Sequence, residues 1–168
     1  DNKVHSIGRR GNSSGSPYTS PTSYLNTGSY DSNSGTLNWE VDTIRLNIDP
    51  NYIATSGFQA WHYDGQIGYA GLFGLENGAT GGNISLVPVM YKTSNGGQTW
   101  NRFNQSFDFG SITAIKNIVK GTYANPSIKK FSIVANEGFD AAVDNNGELH
   151  ILCAIRSNVT STADSVIY

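Results

Sequence analysis

Tyr91-Lys92-Thr93-Ser94-Asn95-Gly96-Gly97-Gln98-Thr99-Trp100 is the stretch on which the fold turns. An Asn-Gly-Gly run between two apolar segments signals a hairpin, because asparagine and glycine tolerate the positive φ that tight turns demand. The stretch aligns without gaps on Tyr30-Asp31-Ser32-Asn33-Ser34-Gly35-Thr36-Leu37-Asn38-Trp39. Tyrosine and tryptophan stand nine residues apart in both copies, and a Ser or Thr follows each tyrosine by two places.

A second element also repeats. Gly65-Gln66-Ile67-Gly68-Tyr69-Ala70 follows Asp64, and Gly147-Glu148-Leu149-His150-Ile151-Leu152 follows Asp144-Asn145-Asn146. The opening residues Asp1-Asn2-Lys3-Val4-His5-Ser6-Ile7 match the same element, and the closing Val166-Ile167-Tyr168 matches Val89-Met90-Tyr91. The order is therefore element, segment, element, segment, element, with corresponding tyrosines 61 and 77 residues apart. A fixed order with variable spacing is the pattern of a repeat architecture with loops of different length. The chain begins and ends inside a repeat, which predicts a longer parent chain or partner chains that complete the array.

Composition fits short strands joined by many turns. Charged residues make up 14% of the 168, while Gly reaches 19 and Tyr 9. Eleven Lys and Arg against 13 Asp and Glu give a net charge of −2, with no block of either sign. This excludes the basic stripe that nucleic-acid binding needs to neutralise phosphates. No apolar run approaches the roughly 20 residues of a membrane-spanning helix. Cys153 stands in the apolar run Leu149–Ile155, where a lone thiol is core filler; one cysteine cannot build an internal disulfide. The sequons at Asn12, Asn83, Asn104 and Asn158 are as many as this composition produces by chance. No stretch sustains a helical period; Ser111–Val119 comes nearest, and its β-branched residues predict strand.

Thr93-Ser94-Asn95-Gly96-Gly97-Gln98-Thr99-Trp100 resembles the Asp box, or BNR repeat, of sialidase-type β-propellers, whose pattern is Ser/Thr-x-Asp-x-Gly-x-Thr-Trp. Thr93, Gly97, Thr99 and Trp100 match it, and Asn95 stands where aspartate is usual. The copy ending in Trp39 keeps Ser32 and Trp39, with Ser34, Thr36 and Asn38 replacing Asp, Gly and Thr. The resemblance implies an all-β partial β-propeller of about two to three four-stranded antiparallel blades. On that template residues 1–46 end one blade, 58–104 form a nearly complete blade, 105–138 are a long connection, and 139–168 begin the next. The complete blade would have strands near Phe58–Tyr63, Gln66–Phe73, Leu86–Lys92 and Gln98–Phe103. The box itself is expected to be structural: the amide accepts turn N–H groups, Gly97 supplies its conformation, and Trp100 buries a ring beneath the hairpin.

Binding residues are expected in the loops of one face, roughly 10–29, 47–57, 74–85, 105–138 and 156–165. Tyr18 and Tyr24 lie in the first, whose Gly/Ser/Tyr composition suits adaptable contacts or simply a solvated loop. Arg9, Arg10 and Arg156 hold comparable positions at strand ends. Sialidases clamp a sugar carboxylate with three arginines, so these three are candidates for such a clamp, beside the plainer reading of surface arginines. The family's Arg-Ile-Pro motif is absent, and no catalytic Tyr, Glu or Asp transfers. His5 and His150 share a repeat position, which suggests a shared structural role. No residue pattern calls for a metal or a cofactor, and Asp31-x-Asn33-x-Gly35 and Asp144–Gly147 read as turns, not calcium loops.

The expectation is thus a non-catalytic propeller segment of a secreted or cell-surface protein. It would serve as a scaffold or as a binding module for glycan or protein. The alternative is part of a sialidase-like glycoside hydrolase.

Overall fold

A computed structural model of the chain describes residues 3–9, 22–77, 86–104, 112–114, 131–133 and 138–157. Apart from Thr113 and Ala114, every element among them is a β-strand. Strands β1 (Lys3–Arg9), β2 (Thr22–Asp31) and β3 (Thr36–Arg45) form one antiparallel sheet in the order β1-β2-β3. Strands β4 (Ile48–Trp61), β5 (Gly68–Glu76), β6 (Val87–Thr93) and β7 (Asn101–Arg102) form a second, each paired antiparallel with the next. β8 (Phe131–Ile133) pairs with β11 (Ile155–Ser157), and β9 (Phe139–Val143) forms a hairpin with β10 (Leu149–Cys153).

The pleat explains how these sheets stack. Side chains alternate between faces of a strand, so a strand buried on both faces must lie between two other layers. β5 is that strand: every residue from Gly68 to Leu75 is buried. Its Ala70 and Leu72, with Val89 of β6, face Leu25 of β2 and Ile44 of β3, with Ile7 of β1 packed alongside. On the opposite face Phe73, Phe58 and Met90 meet Phe139, Ala141, Leu149, Ile151 and Cys153 of the β9–β10 hairpin. Phe139 closes this side with its ring edge-on to Phe73 at 4.6 Å and to Phe58 at 5.8 Å. Gly71 lets β5 and β6 meet so closely: a Cβ there would sit 2.5 Å from the Val89 carbonyl oxygen. The four-stranded sheet is thus the middle layer of three.

Several expectations change here. Tyr24 lies within β2, opposite Gly8 and Thr43, and not on a loop. β4 starts at Ile48, inside what read as a loop, with register irregularities between Ile48, Ile53 and Gly57. Of Ser111–Val119 only residues 112–114 are described, and Thr113 and Ala114 are helical where strand was expected.

Candidate functional site

The segment from Thr93 to Trp100 joins β6 to β7, and its hydrogen bonds account for the residue types found there. Thr93 is fully buried. Its hydroxyl donates to Asn95 Oδ1 at 2.9 Å and accepts from the backbone N–H of Gly97 at 3.0 Å and of Asn95 at 3.3 Å. Asn95 Oδ1 also accepts from the Thr99 N–H at 3.0 Å, while Asn95 Nδ2 donates to Thr99 Oγ1 at 2.9 Å. Gly96 and Gly97 have φ of 67° and 87°, in the left-handed region where a side chain is strained. The carboxamide both accepts and donates here, so asparagine uses the position fully.

Beneath the turn Trp61 carries most of the contact. Its ring stacks on His5 at 3.8 Å and meets Trp100 edge-on at 5.6 Å. Gly68 and Gly97 leave the space it occupies. Trp100 is half-buried against the core formed by β2, β3, β5 and β6. Burial, and then the Lys3 cation, push His5 below the usual histidine range. It therefore stacks as a neutral ring at neutral pH.

Three aspartates close three further hairpins, β2–β3, β4–β5 and β9–β10, in a similar way. Asp31 Oδ1 accepts the Asn33 N–H, and its Oδ2 accepts the Ser34 hydroxyl at 2.8 Å. Asp64 Oδ1 accepts the Gln66 N–H at 2.8 Å. Asp144 Oδ1 accepts the N–H groups of Asn146 and Glu148, each at 2.9 Å. These bonds favour the ionised form and hold all three carboxyls below the usual carboxylate range. The leading causes are the Ser34 hydroxyl for Asp31, the Gln66 amide for Asp64 and the Glu148 amide for Asp144.

All four turns gather at one end of the molecule. The Gly96 N–H donates to the Gln66 carbonyl at 2.9 Å, and a Cβ on Gly147 would meet Ile67. Tyr69 Oη donates to the Gly147 carbonyl at 2.9 Å. Lys3, opposite Ser29 near the β2–β3 turn, brings its Nζ to 3.6 Å from where a Gly96 Cβ would stand.

The repeat in sequence is only partly a repeat in space. Trp100 precedes the short β7, whereas Trp39 lies inside β3 and is 51% exposed, its ring flat over Gly28. A four-residue turn, closed by the Gly35 N–H on the Asp31 carbonyl, lets β3 start earlier than β7 does. His5 stacks on Trp61, but His150 is exposed and holds Asp144 Oδ2 at 3.1 Å, so their shared repeat position hides two roles. His62 is buried, with Nδ1 2.9 Å from Asp64 Oδ1 but off the direction of a hydrogen bond.

Of the expected clamp, Arg9 ends β1 and Arg156 lies in β11, in different sheets; Arg10 and Tyr18 lie outside the described residues. Cys153 packs into the core face of the hairpin, and burial pushes its thiol up. Donor atoms of Asp144, Glu148 and His150 lie within 4.8 Å of one another, but both Asp144 oxygens already serve the turn and His150. A feature sequence reading missed is a cleft of about 230 Å³ between β3 and β6, lined by Asp42, Thr43, Ile44, Arg45, Tyr91 and Trp100. Tyr91 Oη donates across it to the Arg45 carbonyl at 3.1 Å. No known protein family, curated protein or solved structure matches this chain.

Proposed function

We propose that the chain is a non-catalytic segment of a secreted or cell-surface β-propeller, with Thr93–Trp100 as its Asp-box hairpin, serving as a scaffold or a glycan- or protein-binding module. The observation that carries this reading is the middle sheet. Four antiparallel strands in sequential order are covered on both faces by neighbouring antiparallel sheets, with the four side-chain-closed turns at one end. Blades of a propeller meet their neighbours face to face in this manner, and their short hairpins share an end. The box residues are occupied in holding a turn, which leaves binding to other surfaces. No observation favours the glycosidase alternative.

A test is to screen the protein against an immobilised glycan panel and, in parallel, against a fluorogenic sialoside. Saturable binding without turnover is expected. Turnover abolished by Arg9→Ala or Arg156→Ala would replace this reading with the enzymatic one.

A further inference from the structure

β3 stands at the edge of its sheet and is unusual among edge strands. It is ten residues long, and among the described residues no strand pairs with its free side. Nine of its ten residues are exposed, so it projects beyond the layer beneath it on both faces. Natural edge strands of this length are ordinarily shortened, bulged or covered, because unpaired backbone groups template another strand.

The free side can be identified from two hydrogen bonds. The Thr43 N–H is taken by Asp42 Oδ1 at 2.7 Å, and the Arg45 carbonyl is taken by Tyr91 Oη at 3.1 Å. Neither partner is in β2. Backbone groups of alternate residues point to the same side of a strand, so Leu37, Trp39, Val41 and Thr43 present their N–H and C=O groups outward. Tyr91 closes the edge at Arg45 and Asp42 Oδ1 holds the Thr43 N–H, so the open groups run from Leu37 to Val41 and end at the Thr43 carbonyl.

The two faces of this open edge differ in chemistry. Leu37, Trp39 and Val41 share one face and are 41%, 51% and 63% exposed. Trp39 is held flat by Gly28 and is continuous across the sheet with Val4, while Leu37 stands opposite Tyr30. Asn38, Glu40 and Asp42 share the other face, all exposed, and among the described residues neither carboxylate is in an ion pair. A second copy of β3 pairing antiparallel about Val41 would set Glu40 against Asp42, a like-charge pair directly opposite.

We infer that the free edge of β3 is a docking site for an extended peptide that alternates basic and apolar residues and adds to the sheet as a strand. Main-chain hydrogen bonds to residues 37–43 supply the pairing, and alternate side chains supply the choice of partner. Lysine or arginine falls beside Glu40 and Asp42, and apolar residues extend the Val4–Gly28–Trp39 row. Arg45, at the mouth of the cleft, limits the basic stretch to the part of the strand before it. This inference rests on the placement of β3 alone and stands or falls separately from the propeller reading.

The experiment uses a fluorescently labelled, terminally blocked seven-residue peptide alternating lysine and valine, followed by anisotropy at low and high salt. A matched peptide with glutamate in place of lysine is the control. Saturable binding of the lysine peptide, weakened by salt and at least tenfold tighter than the glutamate peptide, is expected. Glu40→Lys combined with Asp42→Lys should invert that preference. Val41→Pro should abolish both, because it removes an outward N–H that β2 does not use. Circular dichroism reports whether each variant is folded, and the charge reversal, lying on exposed positions, keeps the test open if the proline variant is not. Equal binding of both peptides, or a preference the charge reversal leaves unchanged, would overturn the proposal. So would undiminished binding by folded Val41→Pro, or concentration-dependent dimers of the protein that folded Val41→Pro dissolves.

Discussion

Replacing Thr93 by valine removes a hydroxyl while keeping the shape and volume of a fully buried side chain. The isosteric change isolates the hydrogen bonds that close the β6–β7 turn. Three are lost: the donation to Asn95 Oδ1 and the acceptances from the Gly97 and Asn95 amides. The two shorter ones count for about 0.5–1.5 kcal/mol each, and the longer one for little. Gly97, half-buried against Trp61, is left with an N–H that water reaches poorly, which pushes the sum upward. Thr93→Val is therefore expected to cost about 2–3 kcal/mol. Thr93→Ser, which keeps the hydroxyl and gives up one methyl, should cost about 1 kcal/mol. The assay is urea unfolding followed by tryptophan fluorescence and by circular dichroism, with the midpoints compared at constant slope. If Thr93→Val fell within about 0.5 kcal/mol of the parent, or below Thr93→Ser, the hydroxyl would not be organising this turn.

Three further outcomes follow from the same geometry. Gly97→Ala places a side chain at φ 87° with its Cβ 3.3 Å from the Trp61 ring, and should lose about 1–2 kcal/mol in the same unfolding assay. Trp100→Ala should cost about 3 kcal/mol, the low end for a large aromatic because its ring is only partly covered, and should perturb the near-ultraviolet signal of Trp61. Stability should fall with acid in two steps, read from unfolding midpoints against pH. His5 is lowered in the folded chain, so its contribution is present above about pH 6.5 and fades as pH drops below that; His5→Phe should remove the step. Asp31, Asp64 and Asp144 are lowered too, so theirs is present above about pH 4 and is lost as pH falls through the folded values. Asp144→Asn should leave that limb shallower.

Local chemistry was legible in the sequence because it is local. Asn95, Gly96 and Gly97 specify a turn through side-chain reach and backbone freedom, and both act within a few residues. The same holds for Asp64-Gly65 and Asp144–Gly147, read as turns and built as turns. The all-β class followed from short apolar runs between such signals. Alternation along a strand does not say what lies above either face, so the sequence alone could not reveal that β5 is covered on both sides. Nor could the repeat reveal that Trp39 and Trp100 part company. That depends on where each strand resumes after its turn, and on Gly28, the cross-strand partner of Trp39 in β2, offering its ring a flat bed.

The sequence by itself therefore determined the all-β class and the turns at Asp64-Gly65, Thr93–Trp100 and Asp144–Gly147, since each turn rests on interactions spanning a few residues. Only the tertiary structure decided which strand became an edge. It also placed Asp42 and Arg45 beside Tyr91 and Trp100 across a cleft, and put the acidic and apolar faces of β3 in solvent. Those outcomes depend on how sheets stack, which is set by the sum of many weak apolar contacts between residues far apart in the chain.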